Sequence, residues 1–135
     1  MASGHQTQWA AQFAVASELC KRGHEVAFTL GHNTPLADLM VISPAKKHFL
    51  IDVKGLARRN PWLVKRKDVR PGLYYVLAFV PSDEPNQFFI LSQRQANDLV
   101  DQHFKRPSKR RRPGWDGFAF NAPAEFNGKW DLLPS

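Results

Sequence analysis

Three side chains in this sequence have the types and spacing to do chemistry together. Asp38 opens one apolar run, and Asp52-Val53-Lys54 closes another fourteen positions later. Two carboxylates supply hard oxygen ligands to a divalent cation such as Mg²⁺, and a lysine ammonium offers charge to an attacking water or to a phosphate gaining charge. That combination suits metal-dependent cleavage of a phosphodiester. In an extended strand, positions i and i+2 project to the same side, so Asp52 and Lys54 point together and Val53 points away. A hairpin between the two runs places Asp38, at the start of one strand, beside Asp52, near the end of its partner. Carboxylates within about 4–6 Å raise one another's pKa, and a cation or a nearby lysine relieves the repulsion.

The elements that must hold these residues can be read along the chain. Gln8 to Arg22 predicts a helix, with Gly23 as its terminator and Lys21-Arg22 in the last turn. Glu25 to Leu30 is a strand by composition, and Gly31 to Pro35 is a turn by its Gly, Asn and Pro. Asp38–Ile42 and His48–Lys54 are strands joined by Ser43-Pro44-Ala45-Lys46-Lys47, where Pro44 bars continuation; they form a hairpin. Gly55 to Gly72 is basic, lacks a steady period, and reads as a long loop or ribbon, a kind of connection that is usually functional or mobile. Leu73–Val80 is nearly all apolar and aromatic, as a central strand covered on both faces would be. Gln87–Leu91 is a further strand, and Ser92 caps a helix running to about Phe104. A basic segment, 105–112, and a tail, 113–135, follow. The tail carries Trp115, Phe118, Phe120, Phe126 and Trp130 and is expected to pack on the body. The order α-β-β-β-β-β-α predicts a single α/β domain over residues 1–135, a central mixed sheet flanked by helices.

Phase within the first helix selects among its polar residues. At about 100° per residue, Trp9, Phe13, Ala16 and Cys20 share one face, which is expected to be the buried one. Glu18 points away from it and lies four residues before Arg22, the spacing of an exposed pair. Gln12 lies nearer the apolar side, with Val15 and Leu19. Cys20 reads as core rather than as a nucleophile.

The chain carries 19 Lys and Arg against 12 Asp and Glu, a formal net charge of +7. The excess is clustered: Arg58, Arg59, Lys65, Arg66, Lys67 and Arg70 crowd one segment, and Lys105, Arg106, Lys109, Arg110, Arg111 and Arg112 another. Such clusters are the footprint of a polyanionic partner, a nucleic acid, either DNA or RNA. The single cysteine, Cys20, permits no internal disulfide, which fits a reducing compartment. No apolar run reaches the roughly 18–20 residues that span a bilayer, and the first residues show no signal-peptide pattern. The expectation is a cytoplasmic protein without a membrane partner. The five histidines have no metal-ligand spacing. Trp62, set among basic residues, either stacks on a base or packs in the core. Asn33 and Thr34 either touch a phosphate or only shape the turn.

With Ala37-Asp38-Leu39, Ile51-Asp52-Val53-Lys54 and the helix Gln12–Gly23 in place, the first 80 residues or so resemble the PD-(D/E)xK nuclease superfamily, especially its small Holliday-junction-resolvase-like members. The resemblance implies a restriction-endonuclease-like core and a Mg²⁺- or Mn²⁺-dependent DNA endonuclease, often a homodimer. Asp38 and Asp52 would be the metal ligands and Lys54 the catalytic cation. The proline of the family's name is replaced by Ala37. Where the family's first helix often carries a glutamate, phase and distance from Gly23 put Gln12, a neutral residue that either orients the ligand shell or only bonds its neighbours. The full expected catalytic set is Asp38, Asp52, Lys54 and Gln12. The expected grip on nucleic acid is Arg58, Arg59, Lys65, Arg66, Lys67, Arg70, Lys109, Arg110, Arg111 and Arg112. The rival readings are a catalytically inactive nucleic-acid-binding module with the same fold, and an interaction domain whose basic clusters are merely solvated.

Overall fold

The computed structural model describes residues 2–29, 37–105 and 114–135. Helix α1 covers Gly4–Lys21 and starts earlier than its apolar pattern implies, because Ser3 and Gln6 form a capping box. The Gln6 N–H donates to Ser3 Oγ (3.2 Å) and the Ser3 N–H donates to Gln6 Oε1 (2.9 Å), satisfying two donors at the helix start. Gly23, at φ +90°, turns the chain out of the helix. Strands β1 (Glu25–Phe28), β2 (Leu39–Ile42) and β3 (His48–Leu56) follow. A two-residue strand β4 (Trp62–Leu63) leads to β5 (Leu73–Phe79) and β6 (Gln87–Ser92). Helix α2 (Gln93–Phe104), a short β7 (Gly117–Phe118) and two 3₁₀ turns (Ala124–Phe126 and Trp130–Leu132) complete the described chain.

Five strands form one mixed sheet in the order β1-β2-β3-β5-β6, so the fold is α/β with a five-stranded sheet and two helices. All neighbours are antiparallel except β3 and β5, which run parallel. The expected hairpin of β2 and β3 is present, with Leu39 opposite Ile51 and Ile42 opposite His48. Its turn is closed by Ser43, whose Oγ accepts from the Lys47 N–H (3.0 Å). The parallel pair is joined by residues 57–72, a connection long enough for a crossover but built without a helix. It contains β4, which pairs with β7 in a separate two-stranded ribbon. The expected loop over 55–72 is thus in part strand: β3 runs on through Gly55 and Leu56, and β4 lies within the basic stretch.

Two apolar layers sandwich the sheet. One side packs Ala11, Val15 and Leu19 of α1 against Leu39, Val41, Ile51, Val53 and Val76, closed at its end by Trp130 and Leu133. The other packs Ala96, Leu99 and Val100 of α2 against Tyr75, Leu77, Phe79, Phe89 and Leu91, with Trp62 and Phe118 from the ribbon. From the tail, Phe118 joins Trp62 in the α2-side core and Trp130 joins the α1-side core.

The face of α1 differs from the one expected. Thr7, Ala11, Val15, Ala16 and Leu19 are buried, whereas Phe13 is 59% exposed and Cys20 is exposed. Trp9 and Phe13 stack on each other (5.7 Å between ring centroids), and Phe13 meets Phe28 of β1 (5.3 Å). The small side chains win because α1 passes very close to β3. A Cβ built at Gly55 would stand 2.7 Å from the Ala11 Cβ and 3.1 Å from the Thr7 carbonyl oxygen. Only a glycine opposite an alanine allows that approach. Gly55→Ala is expected to cost about 1–3 kcal/mol by forcing the helix outward, read as a lower urea midpoint with an unchanged slope. An unshifted midpoint would show that the approach is not tight.

Candidate active site

The hairpin ladder runs out just where the candidate residues begin. The Asp38 N–H still donates to the Ile51 carbonyl (3.0 Å), but β3 continues past the end of β2. Its backbone groups on that side then need partners other than a strand. Side chains supply them. The Val53 N–H donates to Asp38 Oδ2 (2.8 Å), Gln8 Nε2 donates to the Val53 carbonyl (2.8 Å), and the Gly55 N–H donates to Gln8 Oε1 (3.1 Å). Gln8 thus stands in for a missing strand, and Asp38 is fixed over the end of β3.

Asp52 faces the α2 side of the sheet. Its parallel partner is Tyr75, a member of the α2-side core, while Ile51 and Val53 belong to the α1-side core. Lys54, two residues on, shares that face and sets its Nζ 3.3 Å from Asp52 Oδ1. Gln12 Nε2 donates to Asp38 Oδ1 at 3.3 Å. The structure therefore brings together all four residues named from sequence: Asp38, Asp52, Lys54 and Gln12. Asp38, Asp52 and Lys54 border a cleft of about 260 Å³ whose walls also include Gln8 and Lys67, while Gln12 stands behind Asp38. A larger hollow of about 460 Å³ lies over β1, β2 and β3, among Met40, Ile42, Leu50 and Pro71. It is mostly apolar and holds no pair of carboxylates, so the candidate residues belong to the smaller cleft.

The electrostatics of the cleft are those of two acids forced close. Burial pushes the Asp38 carboxyl above the ordinary aspartate range; the charge of Asp52 adds to this, while the Val53 N–H and Lys54 oppose it. Burial, with the charge of Asp52, holds the Tyr75 phenol up at about 12, so it is a neutral group at neutral pH. A carboxyl with a raised pKa binds its proton more tightly in the folded than in the unfolded state. Its contribution therefore favours folding at acid pH and is lost as pH rises through the folded value. Asp38→Asn, permanently neutral, is expected to melt above the parent near pH 7. The gain should shrink as pH falls toward the ordinary aspartate value of about 4, which melting curves across that range will read. A pH-independent difference would refute this account of Asp38.

The donor set fits one hard cation. Asp38 and Asp52 present oxygen, and a divalent ion would take over the repulsion that a proton or Lys54 now relieves. The amides contribute less: Gln8 Oε1 is engaged by the Gly55 N–H, and Gln12 turns its N–H toward Asp38. Among the described residues no group of three or more His, Cys, Asp or Glu surrounds a common point, so water would complete the coordination shell.

Other expected residues fall elsewhere. Glu18 lies by Lys21 (3.6 Å) and Arg22 (3.9 Å), away from the cleft. Arg59 makes a two-pronged pair with Glu84 (2.7 and 2.9 Å) and lies over the Phe79 ring (4.8 Å). Arg66 Nε donates to Asp101 Oδ1 at 2.9 Å. These two arginines are committed to the protein's own carboxylates, unlike the open grip expected of them. Lys67 alone of the basic segment lines the cleft. Trp62 is 1% exposed and packs in the core, which excludes it as a stacking platform on the surface. The expected contacts from Asn33, Thr34, Lys109, Arg110, Arg111 and Arg112 lie outside the described residues.

Sequence reasoning passed over Gln8, although its signal was present. Gln8 and Gln12 stand four apart, the spacing that puts two helical side chains on one face. Both border the buried stripe of Ala11 and Val15. Tyr75 was hidden within an aromatic strand and is located only by its register with Asp52.

No protein-family model, no curated protein and no solved structure matches this chain. Among the described residues no helix is long and apolar enough to cross a membrane.

Proposed function

We propose that the protein is a Mg²⁺-dependent DNA endonuclease with a restriction-endonuclease-like core, acting alone or as the nuclease subunit of a DNA-processing system. One observation carries the reading. The end of the hairpin sets Asp38 over β3, its Oδ2 taking the Val53 N–H at 2.8 Å, and Lys54 reaches the adjacent Asp52 at 3.3 Å. Asp38 and Asp52 would hold the cation, which when bound supplies positive charge to a phosphodiester oxygen and acidity to water. Lys54 directs its side-chain nitrogen at the attacking water or at charge gathering on the phosphate. Gln12 and the Val53 N–H keep the Asp38 carboxylate turned into the cleft. Lys67 faces the same space and suits a backbone phosphate. Cutting both strands of a duplex takes two such sites, which a homodimer would provide.

The test is a titration with Mg²⁺ or Mn²⁺ against linear, single-stranded and branched DNA. Cleavage that appears with the ion and vanishes in chelator is expected. No cleavage of any substrate in either ion sinks the nuclease reading.

A second reading has its own observation. Gln12 gives Asp38 a neutral amide where a third carboxylate would strengthen cation binding, and this favours a nucleic-acid-binding module without catalysis. That module would bind DNA in a salt-sensitive way without divalent ions, and Asp38→Asn would leave its affinity unchanged.

A further inference from the structure

Two of the most deeply buried polar side chains in the molecule do not touch the cleft, yet they control one of its walls. Gln93 is 2% exposed and Asn97 is 6% exposed, one turn apart on the same face of α2. Burying two uncharged amides is costly unless every group is bonded. Here the bonds go to the backbone of a single extended stretch. Asn97 Nδ2 donates to the Lys67 carbonyl (2.7 Å), and the Lys67 N–H donates to Asn97 Oδ1 (3.3 Å). Gln93 Nε2 donates to the Asp68 carbonyl (3.0 Å), and the Arg70 N–H donates to Gln93 Oε1 (2.6 Å).

One turn further along α2, Asp101 takes Arg66 Nε at 2.9 Å. Gln93, Asn97 and Asp101 form a ridge at i, i+4 and i+8, and residues 66–70 run along it in the opposite direction. Asp116 pins the same end of the strap by accepting from the Arg66 N–H (3.0 Å). A sheet neighbour would fix a strand by the same donors and acceptors. Here a helix does it with side chains. The outcome is selective: the Arg66 guanidinium is turned to α2, while Lys67 lines the cleft with Asp38, Asp52 and Lys54.

We infer that Lys67 is a phosphate-binding residue of the cleft and that Gln93 and Asn97 are positioning residues that set it over the carboxylates. The inference rests on the reading of the cleft as a phosphodiester site and names the substrate group that its second cation takes. That group is a backbone phosphate beside the one at Lys54. Amides clamping main chain fix where the lysine stands whatever the base sequence, so the contact gives affinity and register without base preference.

The experiment is binding of a short DNA duplex in chelator, followed by fluorescence anisotropy over a series of KCl concentrations. Lys67→Gln should lower the slope of log K against log[KCl] by about 0.9, the loss of one phosphate contact, and Lys67→Arg should restore it. Asn97→Leu and Gln93→Met should each lower the slope by about the same amount while keeping Lys67. The double variant K67Q/N97L should show no further loss. A melting curve on each variant confirms that it is folded at the assay temperature, and the two clamp variants fail independently if one does not fold. A parental slope in Lys67→Gln overturns the contact. A parental slope in both folded clamp variants, or losses that add in the double variant, overturns the positioning role, and a parent that binds no DNA overturns both. Because these measurements need no metal, a strap that behaves as expected in a protein that cuts nothing would sink the nuclease reading alone. A protein that cuts DNA but ignores Lys67→Gln would sink the inference alone.

Discussion

Asp52→Ala is expected to slow Mg²⁺-dependent cleavage on the order of 10³-fold or more, the scale seen when a principal electrostatic or acid–base group leaves an active site. The substitution acts in three ways at once. It removes one of two carboxylates able to hold the cation, it deprives Lys54 of its partner at 3.3 Å, and it takes away a charge that helps to hold up the Asp38 pKa. Binding in chelator should move the other way. A negative charge leaves the cleft, so affinity for DNA is retained or rises slightly, with an unchanged salt slope. Single-turnover rates and anisotropy on the same preparations separate the two effects. A variant that cleaves as fast as the parent in the same Mg²⁺ buffer removes Asp52 from the mechanism. One that loses binding along with cleavage points to a misfolded cleft instead.

The largest effect on stability is expected at Trp62. Its indole N–H donates to the Phe120 carbonyl (3.2 Å), its ring stacks on Phe120 (5.6 Å between centroids), and Phe89 meets it edge-on (6.1 Å). Trp62→Ala opens a cavity in the α2-side core and should cost about 3–5 kcal/mol. Trp62→Phe keeps most of the contact and should cost markedly less. Urea unfolding reads both. The experiment also weighs the alternative left open by the sequence, a tryptophan stacked on a base. If Trp62→Ala unfolds like the parent but weakens DNA binding, the packing account fails.

What the sequence disclosed follows from how local each signal was. The hairpin was legible because two apolar runs flank a short turn with Pro44, and its register followed from turn length, so Asp38 could be set against Asp52 before any coordinates. Gln12 was found near the cleft although the face assigned to α1 was wrong. That error has a physical source. The apolar residues of the helix do not gather on one face, and the large side chains Trp9 and Phe13 were taken for core in place of the smaller Ala11 and Val15. The decisive quantity was the distance from helix to sheet, set by Ala11 against Gly55, and no pattern within the helix encodes it. Gly55 was placed in the loop that follows β3, whereas it sits inside that strand beside a close neighbour. The ion pairs of Arg59 and Arg66 were invisible for a different reason: Glu84 and Asp101 are distant in sequence. The pairing of β4 with β7 in the tail escaped notice on the same ground.

The strap along α2 also sets an order of assembly. Residues 38–54 can pair locally into the hairpin that carries both carboxylates and Lys54. The wall bearing Lys67 has to wait for Gln93 and Asn97, and the Trp62 anchor for Phe118 and Phe120. Contacts so far apart in the chain close late, because loop entropy must be met before they form. During synthesis, the residues that carry the carboxylates therefore emerge well before Gln93 and Asn97, which hold Lys67. Any nucleic-acid affinity that depends on Lys67 arrives only with the last third of the chain.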